Sequence, residues 1–189
     1  MRYYKLTDSR GRTRRNTQWG ENVTHKASGK GEKLCTSGCI HVYDHPLKAA
    51  LFNPIHAKFI NPILWEVKVK DIVARDTTKV GVRQCTTIRQ VPFPTITTNQ
   101  RVRVAILVAL SLPHTKKFDT WAKGWLSGRD RTYDAYYTTS FATHATNADN
   151  AAANAAYNAA AATSYATHAT SFATSSLVSI IKKALKLED

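Results

Sequence analysis

Glycine and proline disappear from the chain after Gly128, so residues 129–189 lack the two strongest helix breakers. No run of 18 apolar residues occurs anywhere, which argues against a membrane-spanning helix. A basic start leading into an apolar stretch and small residues is also missing, so a secretion signal is not expected. Cysteine is scarce. Cys35, Cys39 and Cys85 are an odd set without an export signal, which implies a reducing, cytoplasmic setting with free thiols. The common enzyme signatures are lacking too: no Walker-type glycine loop, G-x-G-x-x-G, G-x-S-x-G or H-E-x-x-H is present.

Acidic residues are few, 13 against 27 basic ones, for a formal net charge of +14. Beyond residue 128 the two signs balance: Arg129, Arg131, Lys182, Lys183 and Lys186 face Asp130, Asp134, Asp149, Glu188 and Asp189. The whole excess therefore lies in residues 1–128. A field of that size attracts nucleic acid or acidic protein surfaces and steers their encounter.

Residues 3–6 read as a strand and residues 8–11 as its turn, with Asp8 and Gly11 supplying the turn chemistry. Residues 17–38 are polar, glycine-bearing and without periodicity, and read as loop. Residues 39–43 (CIHVY) make a short strand, after which Asp44 or His45 caps a helix with Pro46 in its first turn. Pro54 and Pro62 each break what precedes them. Residues 65–69 (WEVKV) alternate as a half-buried strand, with Trp65, Val67 and Val69 on the core face and a continuation through Ile72 past a bulge. Residues 80–91 form a further strand that Pro92 and Pro94 end.

Thr97 and Gln100 have the spacing of a capping box, and the helix they open is apolar nearly all round. Phe118, Trp121, Ala122 and Trp125 then form an i, i+3, i+4, i+7 stripe on a second helix, which Gly128 closes. In the alanine-rich region, SFATHAT at 140–146 recurs as SYATHAT at 164–170, and a partial copy begins seven residues after Ser164. A seven-residue step keeps aromatics on one helix face. Self-association is accordingly expected through Phe141, Tyr157, Tyr165, Phe172, Leu177 and Ile181, unless the region folds back as a hairpin. The expected architecture is α+β: a basic domain with a small, mainly antiparallel sheet and packed helices over residues 1–128, then long alanine-rich helices over 129–189.

Residues 19–94 carry Cys35 with Gly38 and His41, then His45-Pro46-Leu47, Trp65-Glu66-Val67, Asp76 with Lys79, and Thr86-Thr87-Ile88-Arg89. In that order they resemble an uncharacterised domain family of phage and bacterial proteins with alanine-rich C-terminal tails. The resemblance implies a phage or mobile element, hence a host cytoplasm, and no established activity. The succession of strand, short helix, WEVKV strand, acidic loop and Thr-rich basic strand is also similar to small ADP-ribosyltransferases of the rifamycin-modifying type. That likeness implies an NAD cleft in which Tyr43 is the aromatic and Asp76 the acid.

Cys35, Cys39, His41 and His45 have zinc-ligand chemistry at C-x3-C-x-H-x3-H spacing, but the expectation is local packing and hydrogen bonding without a metal. Polyanion binding has the better candidates. Arg10, Arg12, Arg14 and Arg15 can grip phosphates through guanidinium pairs, Lys26, Lys30 and Lys33 extend the stripe, and Tyr4 and Trp19 are placed to stack on bases. The sequence thus points to a phage-type protein that engages nucleic acid or an acidic host assembly, in a role such as countering host defence. The alternative is an NAD-using enzyme of the ADP-ribosyltransferase type.

Overall fold

A computed structural model of the chain describes residues 1–111, 114, 116–129 and 174–186. They divide between two compact units, Met1–Thr95 and Ile96–Asp189. The first is built on a sheet and the second on helices, so the fold is α+β. The division falls at Thr95 rather than after residue 128. The two helices expected in the basic domain belong with the C-terminal one, whose apolar stripe finds its partner among them.

In the first unit, β1 (Tyr3–Thr7) pairs antiparallel with β6 (Ile63–Arg75), which pairs with β7 (Val80–Val91). The other edge of β7 is shared by β4 (Thr24–Lys26) and β5 (Ile40–Val42). Just past β5, Tyr43 exchanges two backbone hydrogen bonds of 2.8 Å with Tyr4, so the sheet meets itself at this bridge. A separate two-stranded ribbon, β2 (Arg12–Thr13) with β3 (Thr17–Gln18), encloses a 3-10 turn at Arg14–Asn16. Both β3 and β4 lie in the segment expected to be loop. The partner of β4 is remote, Thr24 facing Thr86 across the sheet, whereas β3 pairs with the nearby β2.

The strand β6 shows the alternation its sequence dictates. Trp65 and Val67 are buried with Tyr3, Trp19, Val42, Val80, Val82 and Cys85, and Val69 packs at their margin. Register irregularities at Glu66/Val67 and Ile72/Ala74 bend the long β6–β7 pair, the second at the bulge expected beyond Val69. Helix α1 (Pro46–His56) packs on β1 and buries Ala49, Ala50, Leu51 and Phe52. His45 caps it by accepting from the Leu47 amide. The helix runs through Pro54 instead of breaking there, because Asn53 ties off the final turn: its carbonyl accepts from Ala57 and Lys58, and its side chain pairs with the Phe59 backbone.

In the second unit, α2 (Thr98–Leu110) opens with both halves of the Thr97–Gln100 capping box formed. Val102, Ala105 and Ile106 pack with Phe118, Ala122 and Trp125 of α3 (Lys116–Leu126). Gly128 ends that helix in the left-handed conformation, at φ 73°, donating to the Trp125 carbonyl. Helix α4 (Thr174–Lys186) packs against α2. Leu177, Ile181 and Ala184 form a stripe on α4 and are fully buried. Leu177 and Ile181 were expected to mediate self-association, and burial within their own chain removes them from that role. Phe141, Tyr157, Tyr165, Phe172 and the hairpin or pairing of the alanine-rich region lie outside the described residues.

Candidate nucleic-acid interface

Residues paired across a sheet share a face, and alternate residues of a strand return to it. The register therefore aligns Lys70 with Gln84 and Lys26, and beside that row Lys68 with Thr86 and Thr24. Lys26, Lys68 and Lys70 are exposed, and the Thr24 and Thr86 hydroxyls bond to each other at 2.8 Å between them. This platform is basic and hydroxyl-rich. Lys68 and Lys70 were readable only as the outer face of a strand; their alignment with Lys26 depends on β4, which polar composition disguises.

The ribbon holds the arginine group. Asp8 Oδ1 accepts from the Arg10 and Arg12 amides at 2.9 and 2.7 Å, fixing the turn that feeds β2. Gly11 sits there at φ 73°, where a Cβ would come within 2.7 Å of the Trp19 carbonyl, so glycine is required on two counts. The Gln18 amide donates to the Arg10 and Trp19 carbonyls at 3.0 and 2.9 Å, and its oxygen accepts from Arg12 Nε at 3.3 Å. Arg10, Arg14 and Arg15 are exposed, and no described carboxylate lies within ion-pair range of Arg10, Arg12, Arg14 or Arg15.

Trp19 is not a stacking surface. It is only 3% exposed, donates from Nε1 to Thr13 Oγ1 at 2.9 Å, meets the His25 ring edge-on, and has Lys5 Nζ 5.4 Å from its centre. It anchors the ribbon to the core instead. Tyr4 is half-buried and joins β1 to Tyr43 through its backbone. Lys30 and Lys33 are exposed on a loop that Arg83 organises from beneath, donating to the carbonyls of Gly29, Lys30, Gly31 and Gly38 at 2.6 to 3.2 Å. The Gly29-Lys30-Gly31 stretch is thus pinned by three of these hydrogen bonds. Nothing in the sequence pairs Arg83 with those carbonyls; the β7 register does.

Other charges are turned inward. Lys48 Nζ lies 3.0 Å from Asp44 Oδ1, both side chains are almost fully buried, and neither makes a well-directed hydrogen bond. Burial lowers the Lys48 pKa while Asp44 opposes it. Arg75 approaches Asp44 at 3.6 Å and donates to the Tyr3 hydroxyl at 3.1 Å. Glu66 is held by Arg89 at 2.9 Å and Arg2 at 3.6 Å.

The two residues of the enzyme alternative have structural duties. Asp76 Oδ1 accepts from the Thr78 amide and hydroxyl and from the Lys79 amide at 2.7 to 2.8 Å, closing the β6–β7 connection. Tyr43 is 5% exposed, its hydroxyl lies 3.2 Å from His56 Nδ1, and burial, reinforced by Asp76, raises its pKa above the usual value. Of the zinc-type set, His41 Nε2 accepts from the Cys35 amide at 2.9 Å, Cys39 is buried beside the Lys33 carbonyl, and His45 caps α1. Among the described residues no three His, Cys, Asp or Glu side chains converge as metal ligands. No described helix is long and apolar enough to cross a membrane.

No family model, curated protein or solved structure matches this chain. Its chemistry is therefore read from its own residues. Two supports, the platform and the ribbon tip, present exposed cations out of ion-pair range of the described carboxylates and beside hydroxyls and amides. Exposed cations beside hydroxyls and amides have the chemistry to contact phosphates.

Proposed function

We propose that the protein is a nucleic-acid-binding protein acting through the basic face of its first unit, in the phage setting that the resemblance of residues 19–94 implies. Interference with a host process on nucleic acid is the role that fits such a setting. The observation that carries the reading is the contrast between two sets of cations. Lys48, Arg75, Arg83 and Arg89 are tied to carboxylates or carbonyls, whereas Arg10, Arg14, Arg15, Lys26, Lys68 and Lys70 are exposed and out of ion-pair range of the described carboxylates.

Six phosphate contacts would give a log–log salt slope of about −5 on duplex DNA. Fluorescence anisotropy of the full chain with a labelled duplex should show tight binding at low salt and a slope of that order. Lys26→Ala, Lys68→Ala and Lys70→Ala together should weaken binding on every sequence. Absence of binding at low salt, or equal displacement by poly-glutamate, would instead favour an acidic protein surface as the target.

A further inference from the structure

The ribbon differs from the platform in what it can recognise. Residues 10–18 contain no acidic and no apolar side chain: four arginines alternate with threonines, an asparagine, a glutamine and a glycine. Those are the side chains that read base edges, arginine pairing in bidentate fashion with guanine and asparagine with adenine, while lysine serves phosphate as a point charge. Gln18 and Arg12 brace the stem. The tip is left to Arg14, Arg15 and Asn16, all exposed.

The tip also has an unusual backbone. Arg15 and Asn16 both adopt left-handed conformations, at φ 61° and 56°, where glycine would be easier to accommodate. Retaining a bulky arginine there costs on the order of the strain that functional sites tolerate. The Asp8 turn, the Gln18 brackets and the buried Trp19 fix the stem, so little order remains to be imposed on binding.

Resting on the nucleic-acid reading above, we infer that the Arg12–Gln18 ribbon enters the major groove of B-form DNA and reads guanine through Arg14 and Arg15, while Lys26, Lys68 and Lys70 position the duplex by its phosphates. Groove dimensions favour this assignment. A two-stranded ribbon fits the major groove, about 12 Å wide, but not the minor groove, about 6 Å wide. The deep, narrow major groove of A-form RNA excludes side chains.

The test is selection of duplexes from a randomised pool by the full chain, followed by interference mapping with guanine-N7 methylation. It is run on the wild type, on Arg14→Lys with Arg15→Lys, and on Lys68→Ala with Lys70→Ala, with circular dichroism to confirm that each is folded. The wild type should enrich a guanine-containing motif, and methylation of its N7 atoms should block binding. The arginine-to-lysine variant keeps charge at exposed positions, so it should keep its low-salt affinity within a few-fold yet lose tenfold or more of its preference. The platform variant should bind all sequences more weakly with its preference intact. Binding without enrichment or N7 interference, a preference unchanged in the ribbon variant, or stronger binding to single strands or RNA would overturn the ribbon assignment and leave nucleic-acid binding standing. Failure to bind any nucleic acid at low salt would remove both.

Discussion

The sheet unit and the helical unit place their positive charge by different physics. In residues 1–95, 17 basic side chains face 7 acidic ones, and cross-strand register decides which of them stand in rows on an open face and which turn inward. In the helical unit, local periodicity decides. Lys182, Lys183 and Lys186 lie on the polar side of α4, and the last two occupy its final turn, where the helix dipole favours cations. Arg101 of α2 is buried, and burial lowers its pKa to about 10. Charge set by register can build a flat, patterned surface from residues distant in sequence, whereas a helix arranges only its neighbours.

The comparison is tested first at buried charge. Lys48→Met leaves Asp44 in the interior with only Arg75 nearby, and should cost about 3–5 kcal/mol in a denaturant titration. Lys182→Ala, on the exposed side of α4, should change stability by less than about 0.5 kcal/mol. Comparable losses in the two variants would mean that Lys48 is not buried as described. Ile181→Ala should cost about 2–5 kcal/mol by opening a cavity where α4 packs. A negligible effect would detach α4 from the core.

A smaller effect is expected from His41. Burial first, then Lys79 and Lys5, bring its pKa down to about 4 from the ordinary 6.5, with Asp76 opposing. A pKa depressed in the folded state means that the unfolded chain takes up the proton first. Stability is then fully present above about 6.5 and is lost as pH falls towards 4. Protonation also removes the acceptor for the Cys35 amide. Unfolding midpoints at neutral and acidic pH should differ less in His41→Gln than in the wild type. Thr97→Ala should cost about 1 kcal/mol through loss of the cap on α2.

Much of the fold was legible because it is local. The Thr97–Gln100 box, the Phe118–Trp125 stripe, the Gly128 stop and the alternation of β6 all depend on residues within a few positions of one another. The bounds of β7 also coincide with the strand read between Lys79 and Pro92. What escaped depends on distant partners. Two- and three-residue strands such as β3 and β4 have too little alternation to register, and only pairing with β7 makes β4 a strand. Trp19 in a polar stretch looks free until Thr13, His25 and Lys5 surround it. The arginines of the ribbon were visible as a cluster, yet the hairpin that presents Arg14 and Arg15 at its tip was not, because its turn contains neither glycine nor proline.

The salt dependence of duplex binding by the full chain, compared with its Arg10→Ala, Arg14→Ala, Arg15→Ala variant, tests the central claim most directly. Three lost phosphate or base contacts should flatten the log–log slope by up to about 3 and weaken binding most at low salt. An unchanged slope and affinity would show that the exposed arginines of the sheet unit do not meet nucleic acid.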